Sequence, residues 1–205
     1  MRKMSSGFLG AMIAASAMLL AAAPAHAQQV SDSYQFIDAI KKQDGAKVMK
    51  VLTDTYGSII DTRDQASGDA ALHYIVRQGD GTWLRYLIQK GANPNIQDRR
   101  GNTPLMLAVE QNYAEGVSIL ITYKADVNLA NSSGETPLIR AVQQRKFNMV
   151  RLLLDAGADP DKADNLAGNS ARDYARLDPR MPPSIAKALQ DAPKVNKGAT
   201  TGPKL

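Results

Sequence analysis

The sequence predicts an all-α solenoid of about five helix-turn-helix repeats, three full and two capping, with short β-turn fingers between them. Three observations carry that prediction. A glycine-led motif recurs every 33 residues, a second motif recurs in phase with it, and only 5% of the residues are aromatic against 44% hydrophobic. That composition suits thin layers of leucine- and alanine-packed helices better than a β-sandwich.

The first motif is Gly101-Asn102-Thr103-Pro104-Leu105-Met106-Leu107-Ala108, echoed by Gly134-Glu135-Thr136-Pro137-Leu138-Ile139-Arg140-Ala141. One period earlier stands Gly68-Asp69-Ala70-Ala71-Leu72-His73-Tyr74-Ile75, and 34 residues later Gly168-Asn169-Ser170-Ala171-Arg172-Asp173-Tyr174-Ala175. The second motif is Lys90-Gly91-Ala92-Asn93-Pro94-Asn95, then Tyr123-Lys124-Ala125-Asp126-Val127-Asn128, then Ala156-Gly157-Ala158-Asp159-Pro160-Asp161.

In chain order, residues 1–27 read as an export signal. Arg2 and Lys3 form a positive start, Phe8 to Ala23 an apolar stretch, and Pro24-Ala25-His26-Ala27 a small-residue cleavage region, so cleavage is expected after Ala27. The alternative is an uncleaved anchor, although the apolar stretch of about 16 residues is short of the roughly 20 a spanning helix needs. The alanine-rich stretch ending in Ala-His-Ala resembles a bacterial signal, so the expected location is periplasmic, with secretion as the alternative.

Residues 28–191 form the expected repeat domain, with units near 31–63, 64–96, 97–129, 130–162 and 163–191. The first is degenerate: residues 34–40 make helix one and 46–53 helix two. In the central repeats, Thr103 and Thr136 cap first helices whose opening residues are Pro104 and Pro137, where a missing N–H costs nothing. The second helices carry apolar stripes: Trp83, Leu84, Leu87, Ile88; Val117, Ile119, Leu120, Ile121; Met149, Val150, Leu152, Leu153, Leu154. Trp83 is thereby assigned to the core rather than to an interface. Gly91 and Gly157 end their helices in the left-handed conformation, whereas Lys124 stands where glycine is expected and predicts a strained turn. In the last unit, Pro179, Pro182 and Pro183 separate a helix over 169–177 from one over 184–190. Both ends act as caps, because a finite stack must expose one face of each terminal repeat. Residues 192–205, with three lysines, two prolines and two glycines, read as a disordered basic tail.

On these two linked motifs the chain resembles the ankyrin-repeat family, whose unit combines G-x-T-P-L-H-x-A-A, an L-L-L helix and G-A-D-V-N. The resemblance implies a protein-binding module whose variable positions are the finger tips and the exposed side of the first helices. Candidate protein-binding residues are therefore Arg63, Gln65, Gln97, Arg99, Arg100, Asn102 and Glu135 on the fingers, with Ile96 and Asp69 beside them. Arg77, Glu110, Gln111, Tyr113, Gln144, Arg145 and Lys146 join them from the inner helix ends. Arg99, Arg100, Arg145 and Lys146 bias this set toward an acidic or amide-rich protein partner. The resemblance also implies that His73 bonds the backbone of the adjoining repeat.

Charge and composition exclude other classes. The formal charge of +5 comes from Arg2, Lys3 and the tail Lys194, Lys197 and Lys204, so residues 28–191 are neutral in sum and no basic face for nucleic acid is expected. There is no cysteine, hence no disulfide framework or thiolate metal site. His73 is the single histidine beyond the signal, which leaves no histidine cluster or triad. Asp126, Asp159 and Asp161 recur with the repeat and satisfy turn backbone rather than forming an acid pair. The expectation is a monomeric, non-enzymatic binding protein with no cofactor, no metal and no lasting membrane insertion. Some exported bacterial proteins of the same architecture are associated with periplasmic catalase and peroxide defence, and others act as secreted effectors on another cell's proteins.

Overall fold

The computed structural model describes residues 25–193, with side chains from residue 31 onward. The expected signal core and the basic tail beyond residue 193 lie outside the described residues. Among the described residues ten helices follow one another: α1 Ala25–Lys41, α2 Gly45–Asp54, α3 Ala71–Gln78, α4 Gly81–Gln89, α5 Pro104–Glu110, α6 Ala114–Thr122, α7 Pro137–Gln143, α8 Phe147–Asp155, α9 Ala171–Leu177 and α10 Pro183–Asp191. They pair as five antiparallel hairpins. The odd-numbered helices stack in one layer and α4, α6, α8 and α10 in the other.

Local chemistry sets the helix starts. Thr103 and Thr136 accept from the N–H of Met106 and Ile139, with proline at the first helical position, as their sequence predicts. Ala70 has no polar side chain to cap α3, and the His73 ring instead braces the helix start by reaching back: its Nδ1 accepts the Ala70 N–H at 3.0 Å. His73 Nε2 then donates to the Asn102 carbonyl at 3.0 Å, tying the second repeat to the third. The ring is fully buried, and burial lowers its pKa. α1 is longer than the helix expected over 34–40, because no glycine or proline interrupts residues 25–41.

The core is continuous through the stack. Phe36, Ile40, Leu72, Leu84, Leu87, Leu105, Leu120, Leu138, Met149 and Leu153 are all 0–1% exposed, and neighbouring repeats share them. Trp83 is only half-buried. It sits edge-on to Tyr86, with ring centroids 5.1 Å apart, and lies over Gly45, where a Cβ would fall 2.6 Å from the indole. It seals the margin between the first two repeats rather than filling the interior. Ile88, Ile121, Leu152 and Leu154 also sit at the margin of the core.

Lys124 adopts φ +66°, the strained turn its position predicts. Gln43, Tyr56, Asn112 and Arg145 share this left-handed conformation, so the stack tolerates non-glycine residues after several other helices. Between repeats, the closing motif builds a polar ladder. Asn95 and Asn128 accept the N–H of Asp126 and Asp159 at 2.7 Å each, while Asp126 and Asp159 accept the N–H two residues on. These aspartates serve the turns, as their recurrence implies.

Candidate functional site

The fingers are the segments that lead into the odd-numbered helices, and each is built on one side chain. Asp64, Asp98, Asn131 and Asp164 stand 33 or 34 residues apart, and an oxygen of each accepts two or three backbone N–H groups of its own turn. A glycine with φ near +70° follows at 68, 101, 134 and 168. At Gly101 and Gly134 a side chain is doubly excluded: besides the positive φ, a Cβ would lie 2.6 Å from the backbone nitrogen of Ser132 or Asn165. That proximity lets adjacent fingers hydrogen-bond directly, Ser132 N–H to the Arg100 carbonyl and Asn165 N–H to the Ser133 carbonyl. The result is a rigid comb.

Between the comb and the inner helices of repeats three to five lies an open groove of about 580 Å³, lined by Arg99, Arg100, Asn102, Leu107, Glu110, Asn131, Ser132, Ser133, Glu135, Arg140, Gln143, Asp164, Leu166 and Tyr174. Its floor is a single register of the repeat: Leu107, Arg140 and Tyr174 occupy equivalent positions on α5, α7 and α9. Arg140 bonds Glu110 at 3.0 Å and Glu135 at 2.5 Å, which ties repeat three to repeat four and occupies the cation in the middle of the groove with two carboxylates. Tyr174 donates to Asp164 at 2.5 Å. Burial raises the Asp164 pKa, but that hydroxyl and three backbone donors outweigh it and hold the carboxyl below its ordinary range. Asp164 therefore shapes the fourth finger, the one that leads into α9.

The groove gathers five of the fourteen candidate binding residues: Arg99, Arg100, Asn102, Glu110 and Glu135. Asn102 is nevertheless 5% exposed, its amide donating to Asp98 and its oxygen accepting from Asn131, so it braces the comb instead of offering a tip. Arg99 is likewise engaged, reaching back to the Gln65 and Ala66 carbonyls of the preceding finger. Gln97 donates to the Gly101 and Ala130 carbonyls at 2.8 and 3.0 Å. Ile96 and Asp69, placed among the finger residues by sequence, are buried.

The remaining candidates lie outside the groove. Arg77 makes two hydrogen bonds to Asp69, at 2.8 and 3.1 Å. Arg145 pairs with Asp178 at 2.6 Å, and Lys146 donates to the last carbonyls of α5, at Val109 and Glu110. Burial lowers the Lys146 pKa. Tyr113 is half-buried: its ring packs on Gly116, and its hydroxyl is buried near Gly81 and Glu115. Gln111 and Gln144 are exposed where α5 and α7 end, and Arg63 and Gln65 are exposed on the first finger. Among the arginines lining the groove, only Arg100 leaves its guanidinium without a hydrogen bond or ion pair to any described residue.

Of the four residues behind the positive bias read from sequence, Arg145 is neutralised by Asp178, Arg99 and Lys146 keep their charge but are held by carbonyls, and Arg100 stays open. The sequence reading missed Arg140 and Tyr174, which the recurring register of Tyr74, Leu107, Arg140 and Tyr174 marks in the aligned motifs. Among the described residues no cluster of metal-ligating side chains occurs, and no helix is long and apolar enough to cross a membrane.

Comparison with known proteins agrees with this architecture. A family model described as ankyrin repeats (3 copies) matches residues 36–131 and 72–164. Over 77 residues the chain is 38% identical to an ankyrin repeat protein of Acanthamoeba polyphaga mimivirus, covering 38% of this chain and 10% of that one. It is 36% identical over 55 residues to the nuclear factor NF-kappa-B p110 subunit of Drosophila melanogaster, covering 27% and 6%. With the potassium channel AKT1 of Arabidopsis thaliana it shares 33% identity over 84 residues, covering 41% and 10%. The chain therefore spans a tenth or less of the length of these relatives.

Proposed function

Because the chain belongs to the ankyrin-repeat family and so carries a protein-protein interaction module, we propose that it is an exported protein acting in the bacterial periplasm, binding one protein partner in the groove of repeats three to five. The observation that carries the reading is the groove itself. Its walls are fixed by backbone bonds between fingers, so the surface is organised before a partner arrives, which lowers the ordering cost of association. Export is supported by the charged, apolar and small-residue order of residues 1–27. Fold alone does not name the partner.

Affinity capture from periplasmic extract tests the binding site. The wild type and Arg100→Glu serve as paired baits, since the Arg100 guanidinium bonds no described residue whereas that of Arg99 braces the neighbouring finger. A protein retained by the wild type and lost with Arg100→Glu, at unchanged melting temperature, is the expected result; equal retention counts against the groove. Cell fractionation tests location: recovery in the medium in place of the periplasm moves the protein to the secreted class. The narrower reading is a role in peroxide defence, supported only by shared architecture. Deleting the gene should then raise sensitivity to hydrogen peroxide, and unchanged survival removes that role.

A further inference from the structure

The two ends of the groove differ in kind. At the third-repeat finger, Arg100 is exposed and unpaired, while Arg99 is held by carbonyls and Arg140 by Glu110 and Glu135. At the fifth repeat, Leu166 on the finger is 82% exposed and Leu177 at the end of α9 is 61% exposed. A capping repeat has every reason to be polar, because it ends the stack in water. Leu166, left in the open where it lines the groove with Tyr174, is therefore a feature that cap chemistry does not explain. The other large exposed hydrophobics, Tyr34, Met49, Tyr56 and Phe147, belong to α1, α2, the loop after α2, and α8.

Resting on the groove reading above, we propose that the partner enters as a linear segment of polypeptide, oriented by one carboxylate at Arg100 and one apolar side chain at Leu166. The argument is one of complementarity. Between these ends the lining offers no open cation: Arg140 is outnumbered by Glu110 and Glu135, which leaves the middle slightly acidic, and Asn131, Ser132, Ser133 and Gln143 offer uncharged hydrogen bonds. An acidic patch would meet one open cation and then repulsion from Glu110, which is half-exposed. A single carboxylate followed by uncharged residues and an apolar anchor meets a complementary group at each step. The two unlike ends also fix which way the segment runs.

Selection of a phage-displayed library of random linear peptides on the purified protein tests this without knowing the partner. Enriched peptides should carry Asp or Glu toward one end and Leu, Ile, Met or Phe toward the other. A synthetic consensus peptide should bind Arg100→Glu about tenfold or more weakly, the scale of a lost charge-assisted contact. Selection on Arg100→Glu should replace the acidic residue with Lys or Arg, and Leu166→Asp should remove the apolar preference. Arg63→Glu, on a finger outside the groove, should select the same peptides as the wild type. Failure to enrich, a consensus without an acidic residue, or a consensus unchanged by Arg100→Glu overturns the inference. So does self-association abolished by Arg100→Glu, which would make a second copy the occupant. Capture of a periplasmic protein through the groove would survive each of the first three results.

Discussion

Tyr74 and Tyr174 occupy the same register of the repeat, yet their surroundings are opposite. In repeat two, Lys41 lies 5.1 Å and Arg77 5.8 Å from the Tyr74 ring centroid, and both cations are anchored, to Asp64 and Asp69. In repeat five, Tyr174 bonds its own finger through Asp164, and its ring borders an open groove beside an exposed leucine. One scaffold position is closed by charges from neighbouring elements at one end and left open at the other. Recognition surface in this stack is therefore defined by where internal pairing stops, and residue type alone does not locate it.

Substitutions can break or sharpen that contrast. The largest effect belongs to the closed half. His73→Ala removes a buried ring, strands the Ala70 N–H and leaves the Asn102 carbonyl with only its Asp98 donor, so a loss of about 3 kcal/mol in unfolding free energy is expected by denaturant titration. The same residue gives a pH signature. Its folded pKa lies below the unfolded value of about 6.5, so the unfolded chain takes up the proton first. Its contribution is whole above that pH and is lost as pH falls through and below it. A His73→Gln variant should show a flatter acid limb; an identical limb would remove His73 from the account.

Next in size, Asp69→Ala leaves Arg77 without its partner and should cost about 2 kcal/mol. Tyr174→Phe, in the open half, should cost about 1 kcal/mol, because Asp164 keeps its backbone donors. If the two costs are equal, the closed and open halves are not energetically distinct. Lys124→Gly should stabilise by roughly 1 kcal/mol, since glycine adopts its φ of +66° without strain. Arg100→Glu should leave the melting temperature unchanged, although it is the substitution with the greatest expected effect on binding.

Much of the fold is legible in the sequence because the repeat writes each local rule several times. Thr103-Pro104 and Thr136-Pro137 mark helix starts, and Gly91 and Gly157 mark helix ends. The turn at Lys124 is legible as an exception to a rule stated elsewhere in the chain. The site is less so, because exposure in a solenoid depends on partners about one period away. Nothing local to Lys146 says that it will close α5, and nothing local to Arg99 says that it will hold the Gln65 and Ala66 carbonyls. Tyr113 looks amphipathic in sequence, but Gly81 and Gly116 open the space that half-buries it. The finger-building column of Asp64, Asp98, Asn131 and Asp164 is the part that alignment by period could have exposed.

Hydrogen–deuterium exchange on the protein with and without its captured partner tests the central claim most directly. The account predicts added protection at residues 98–102, 131–135 and 164–169, with α2, α4, α6 and α8 unchanged. Protection confined to those outer helices, or to the first finger around Arg63, would contradict it.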